Sequence, residues 1–239
     1  MAPGVRSLTG PRLPPARGSA THLVVLCHGY GADGNDLIGL APLWQRLLPT
    51  VAFAAPNAPE PCTGSPMGYQ WFPISRLDPH EMKRGVQSAA ASLDGFIDAE
   101  LKRLDLPAER LALVGFSQGT MMSLQVGLRR AVKPAAIVGY SGMVTESDDL
   151  ARVAPEAPPI LLVHGDADTM IPPDFLFASA TTLGHAGAAV QWHLSGGLGH
   201  SIDEQGLALG GLFLTMALRG QLVRRQTEIS CALVEAPGR

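Results

Sequence analysis

The sequence predicts an α/β domain, built on a mostly parallel central sheet with helices on both faces. Three observations carry that expectation. Short apolar runs alternate with longer stretches of helical periodicity along nearly the whole chain. The runs are apolar at every position, as strands covered on both sides must be. The chain has 239 residues, 46% of them apolar and 16% charged, which suits one α/β domain with a large core.

The elements follow in order. Residues 1–20 read as an extended arm, because their prolines deny them a helix. THLVVLC is a buried strand that stops at His28-Gly29. HGYGADGND is a Gly-rich loop, with Asp36 placed to cap the next helix. VAFAAP (51–56) is a second buried strand. The stretch 57–78 is too rich in Pro and Gly for regular structure, and a loop that long in a compact domain is usually functional or mobile. Met82, Val86, Ala89, Leu93, Phe96 and Leu101 recur at helical spacing, so a helix runs from about 79 to 104. RLALVGF is a strand and QGTMMSLQVGLRRA a helix. AAIVGYS and PPILLVHG are strands, 173–185 is a helix, AAVQWHL is a strand, and 203–218 is a closing helix. No repeat or composition break divides 21–222, which is read as one domain, with 223–239 a weakly held tail.

The formal charge of -3, with no Lys/Arg run or zinc-finger spacing, speaks against nucleic acid as a partner. No apolar run reaches the roughly 18 residues of a membrane span, so no membrane insertion is expected. The N-terminus has basic residues but no apolar core of a secretory signal, and the expected location is cytoplasmic. Cys27, Cys62 and Cys231 are odd in number and form no CxxC pair, so reduced thiols are expected. No metal or cofactor is expected, and the chain is read as a monomer or homodimer.

In a sheet of this kind ligands sit beyond the carboxyl ends of the strands. RLALVGF runs into Gly115-Phe116-Ser117-Gln118-Gly119, a G-x-S-x-G between strand and helix. The bare pattern arises by chance about 0.2 times in a chain of this composition; its strand–turn–helix setting is what gives it meaning. A tight turn there lifts the serine oxygen above the sheet, and the glycines leave room for the neighbouring backbones. The following helix points its positive end at the site. A serine nucleophile needs a base, and the base an orienting carboxylate. ILLVHG stops at Asp166-Ala167-Asp168, and AAVQWHL stops before SGGLGHS with His200. Asp168, deeper in its loop, is the expected acid; Asp166 is expected to be a turn or capping residue, since Asp readily hydrogen-bonds backbone two residues on. His200 alone among seven histidines follows the acid in the order Ser, Asp, His. His28 and His164 end strands before glycines and are placed to bond loop backbone. The N–H groups of Tyr30 and Gln118 are the expected oxyanion donors. Trp71 and Phe72 offer apolar area to an acyl chain, or else anchor their loop. Met121 reads as core filler or pocket lining.

Together LVVLCHGYGADGNDL, AAPNAPEP, QWFPI, LALVGFSQGTMMSL, IVGYSG, ILLVHGDADTMIP and GLGHSID resemble the phospholipase/carboxylesterase family of α/β-hydrolases, which includes the acyl-protein thioesterases. The resemblance spans roughly 20–205 in the family's order. It implies the α/β-hydrolase fold with no large lid domain, catalytic Ser117, Asp168 and His200, oxyanion donors at Tyr30 and Gln118, and a site shaped by the Trp71-Phe72 loop. It implies no cofactor or catalytic metal. HGYGADGN and QWFPI look like the bacterial carboxylesterase branch. The expected activity is therefore hydrolysis of small-molecule carboxylic esters with short to medium acyl chains. The alternatives are an acyl-protein thioesterase or lysophospholipase with the same residues, and a silent ligand-binding protein of the same fold.

Overall fold

The computed structural model describes residues 5–222 except 63, 66, 76, 77, 146 and 147; the tail at 223–239 and Cys231 lie outside the described residues. Nine strands are present among them: β1 (Arg12–Leu13), β2 (His22–Cys27), β3 (Val51–Ala54), β4 (Glu60–Pro61), β5 (Tyr69–Gln70), β6 (Leu111–Phe116), β7 (Ala136–Tyr140), β8 (Ile160–Gly165) and β9 (Val190–Ser195). The helices are α1 (Gly34–Ile38), α2 (Ala41–Gln45), α3 (Pro79–Arg103), α4 (Gln118–Gly127), α5 (Leu150–Val153), α6 (Asp174–His185) and α7 (Glu204–Leu218).

Seven strands form one sheet in the order β1-β3-β2-β6-β7-β8-β9, parallel except for β1. The alternation of short apolar runs with helices leads to this arrangement, since parallel neighbours need crossovers and helices supply them. Side chains alternate across each strand and feed two cores. Leu23, Val25, Leu113, Ile137 and Leu162 face α3, α4 and α6. Val24, Leu26, Val114, Val138 and Val163 face α1, α2 and α7, where Trp44, Phe213 and Leu214 cover them.

The structure adds elements that the sequence pattern does not announce. The segment expected as an arm supplies β1, whose two residues pair antiparallel with β3. Arg12 then donates to the buried Glu100 of α3 at 2.9 and 2.5 Å, with Arg103 on its other oxygen at 2.9 Å. Burial works to raise the Glu100 carboxyl, and the bonds from Arg12 and Arg103 outweigh it, holding the group below the usual carboxylate range. The stretch 57–78 carries the small hairpin β4–β5. Asp33, not Asp36, caps α1, accepting from the N–H groups of Asn35 and Asp36 at 2.8 and 3.2 Å. β9 departs from two-sided burial: it is an edge strand, and Trp192 is 52% exposed.

Candidate active site

The carboxyl ends of β2, β6, β7, β8 and β9 lie along one rim of the sheet, because these strands are parallel and adjacent. Each expected functional loop leaves from that rim. β6 is the middle strand of the seven, so the residue that follows it emerges at the centre.

That residue is Ser117, with φ 54° and ψ −117°, a left-handed conformation that costs roughly 1–3 kcal/mol in a non-glycine residue. The surroundings leave it no alternative. A Cβ at Gly115 would overlap the backbone of Gly119, and a Cβ at Gly119 would overlap the carbonyl oxygen of Cys27. Ser117 N–H donates to Tyr140 O at 2.8 Å, and Thr120 Oγ1 lies 2.9 Å from the carbonyl oxygens of both Gly115 and Tyr140. Gln118 opens α4, where a backbone N–H has no acceptor within its own helix. The loop after β2 comes alongside: a Cβ at Gly29 would lie 3.3 Å from the Ser117 Cβ, and Tyr30 follows. His28 braces that loop. Its Nε2 accepts from Ala58 N–H at 2.9 Å, so its Nδ1–H donates to Gly29 O at 2.7 Å. Burial pushes the His28 imidazole below its usual range.

The expected acid and base, Asp168 and His200, meet across the loops after β8 and β9. His200 Nδ1 donates to Asp168 Oδ2 at 2.7 Å, with the Asp168 side chain fully buried and His200 at 13% exposure. Asp168 Oδ1 accepts from the N–H groups of Met170 and Ile171, both at 2.9 Å. The neighbouring Asp166 sits in the turn after β8, as expected of it. Asp168 itself makes the bond two residues on, while Asp166 Oδ1 accepts from Gly197 N–H at 2.6 Å, 31 residues away in the loop that carries His200. Ala167 N–H donates to Leu198 O at 2.9 Å beside it, so two loops are stitched into one wall. The Phe116 ring lies 4.9 Å from the His200 ring, setting the imidazole over the turn at Ser117. No hydrogen bond joins Ser117 and His200 among the described residues. Such bonds are often long in unliganded sites and tighten around substrate.

The remaining expected contacts fall elsewhere. Trp71 and Phe72 are each 1% exposed and offer an acyl chain no open surface. They anchor their loop: Trp71 Nε1 donates to His28 O at 2.9 Å, and the Phe72 ring packs against Gly85 of α3. Met121 is likewise buried, within the core beneath α4. The sequence reading missed the side chain of Gln118, which accepts from Trp71 N–H and donates to Phe72 O, both at 2.8 Å. It thereby ties the 57–78 loop to the start of α4. No local pattern signals a bond across 46 residues. Cys27 lies close by, but burial pushes its thiol up to about 12, which keeps it protonated at neutral pH.

A cavity of about 470 Å³ is lined by Pro79, Met82, Met143, Val144, Phe175 and Ser179, among others, and by none of Ser117, Asp168 and His200. Its link to the turn is Gly142, which precedes Met143 and has no room for a side chain against the carbonyl of Ser117.

Comparison with known proteins extends the geometry. The Phospholipase/Carboxylesterase family model matches residues 10–217. Acyl-protein thioesterase 1 of Gibberella zeae is 30% identical over 204 residues, covering 78% of this chain and 86% of that protein. Acyl-protein thioesterase 1 of Schizosaccharomyces pombe is 34% identical over 173 residues, covering 68% and 75%. The crystal structure of esterase PE8 superimposes with a TM-score of 0.83 at 38% identity, covering 91% of this chain and all of that one. With its α/β-hydrolase sheet and this span of similarity, the chain belongs to the phospholipase/carboxylesterase family of hydrolases.

Proposed function

We propose that the protein is a serine esterase that hydrolyses carboxylic esters of short to medium acyl chain through an acyl-enzyme on Ser117. The observation that carries this reading is the 2.7 Å bond from His200 Nδ1 to the buried Asp168 carboxylate, on the same rim as the strained serine turn. With Nδ1 donating to Asp168, Nε2 of the neutral imidazole is left as the base. It takes the Ser117 proton as Oγ attacks the ester carbonyl. The N–H groups of Gln118 and Tyr30 bind the oxyanion, aided by the positive end of α4. His200 then gives its proton to the departing alcohol, and water cleaves the acyl-enzyme by the same steps. Asp168 keeps the imidazole in its tautomer and stabilises the imidazolium. The cavity lined by Met82, Met143 and Phe175 takes the acyl chain; this assigns to α3, α6 and the loop after β7 the contacts first sought at Trp71, Phe72 and Met121.

A thioester substrate is the second reading, favoured by the curated relatives named acyl-protein thioesterase 1. Both readings use the same residues and differ in the leaving group.

The test has two parts. A fluorophosphonate probe should label the protein, and labelling should vanish in Ser117→Ala. Hydrolysis of p-nitrophenyl esters of graded acyl length should then be compared with acyl-CoA, S-acyl peptide and lysophospholipid. Activity highest on short and medium oxoesters supports the esterase, and a clear preference for thioesters selects the second reading. Labelling that persists in Ser117→Ala removes both.

A further inference from the structure

The proposed site uses two imidazoles, at 28 and 200, and leaves a third unexplained. His164, near the end of β8, is 1% exposed. Its Nε2 lies 2.8 Å from Ile171 O and 3.2 Å from Asp168 Oδ2. Both neighbours are acceptors, so Nε2 carries the proton. Its Nδ1 is buried with no hydrogen-bond partner among the described residues. An aliphatic side chain would fill the same space without burying that nitrogen, so the donor end must offset the cost.

We propose that His164 is a positioning residue of the site: its Nε2–H, which donates to Ile171 O, lies 3.2 Å from Asp168 Oδ2, offsets part of the charge on that oxygen and thereby sets how basic His200 is. This rests on the reading of Ser117, His200 and Asp168 given above. The division of labour on the carboxylate points to it. Oδ1 is held by two backbone N–H groups, from Met170 and Ile171, which already fix the plane of the group. What His164 adds falls on Oδ2, the oxygen that accepts from His200. The N–H dipole of His164 beside Oδ2 offsets part of the charge on the oxygen facing His200. Without it, more negative charge faces Nδ1–H, and the protonated imidazole is favoured.

The other titratable groups on the surrounding elements lie apart. Asp166 in the same loop and Asp174 at the start of α6 are exposed. Tyr140 of β7 and His193 of β9 both register with Val163, on the opposite face of the sheet. Asp203 and Glu204 belong to the start of α7, which covers that opposite face.

The experiment compares three variants of the full chain. His164→Leu and His164→Met keep bulk and remove the donor; His164→Gln returns an N–H close to the same place. The His200 titration is followed by NMR of ¹³C-labelled histidine, without turnover. The midpoint should rise by about half a unit or more in the Leu and Met variants and return toward the parent value with Gln. The acid limb of kcat/KM should move with it while KM stays put. A midpoint unchanged or lowered in the Leu and Met variants overturns the proposal. So does folding of the Gln variant alone, which would assign the N–H to closing the loop on Ile171 O, and so does failure of all three to fold. Fluorophosphonate labelling of the parent protein separately reports whether Ser117 is a nucleophile, so loss of that reading is distinguishable from loss of this one.

Discussion

On the side of the proposed nucleophile, the turn at Ser117 is wedged between backbones: Gly115 against Gly119, Gly119 against Cys27 O, and Gly142 against Ser117 O. On the side of the proposed acid and base, the loops after β8 and β9 are joined by Asp166 to Gly197 and Asp168 to His200 and by two backbone bonds, while Asp168 and His164 also bond Met170 and Ile171 within the first loop; Gly165 alone there is pressed against backbone, at Leu198 O. The first side tolerates no added atom, because packed backbones cannot retreat. The second, Gly165 apart, tolerates changes of shape better than changes of polarity around Asp168 and His164, because a partner lost there leaves a buried group unsatisfied. The difference suits the proposed chemistry, in which a fixed nucleophile is served by an imidazole that must adjust by a fraction of an ångström.

The comparison can be sharpened or broken by substitution. Ser117→Ala should lower kcat on p-nitrophenyl acetate by about a million-fold with the melting temperature close to the parent value, since the backbone strain is unchanged and no packing is lost. Near-parent turnover would break the proposed function. Asp168→Asn should leave the protein folded and cost about ten-thousand-fold in kcat, through the wrong imidazole tautomer. Gly119→Ala should destabilise by at least about 3 kcal/mol in denaturant titration, because one methyl group meets a carbonyl oxygen in the sheet. A Gly119→Ala protein of parent stability would refute the contrast between the two sides. Asp166→Ala should cost only about 1 kcal/mol, with faster hydrogen exchange at the Gly197 amide, because Asp166 is exposed and water replaces its bond.

The gentlest test is acid. Burial lowers the folded-state value of His28, so the unfolded chain binds the extra proton first. The stability this histidine contributes is whole above the unfolded value of about 6.5 and is lost as pH falls from there through the lower folded value. Melting temperature should therefore decline gradually on acidification below about 6.5, and the decline should be shallower in His28→Asn. An identical slope in both proteins would remove His28 from the account.

How much of this was readable beforehand follows from range. Strands such as His22–Cys27 and Leu111–Phe116, and the 25-residue helix Pro79–Arg103, announce themselves because burial imposes a period on each segment separately. β1, with two residues, has no period to read, and its place at the edge depends on β3 and on Glu100. Asp33 and Asp36 look alike as caps in sequence, and only the start of α1 separates them.

The sequence by itself determined the alternation of strands and helices, the strand–turn–helix around Ser117, and the order in which a serine, an aspartate and a histidine reach the strand ends. All are local patterns of residue type. The tertiary structure alone decided that Asp166 reaches across to Gly197, that Trp71 and Phe72 turn into the core, and that the Gln118 side chain and His164 bond the loops around the site. Those outcomes depend on contacts between segments far apart in the chain or on the direction a side chain takes in a packed loop. No run of residue types encodes either, because they are chosen by which buried polar groups find partners once the sheet has assembled.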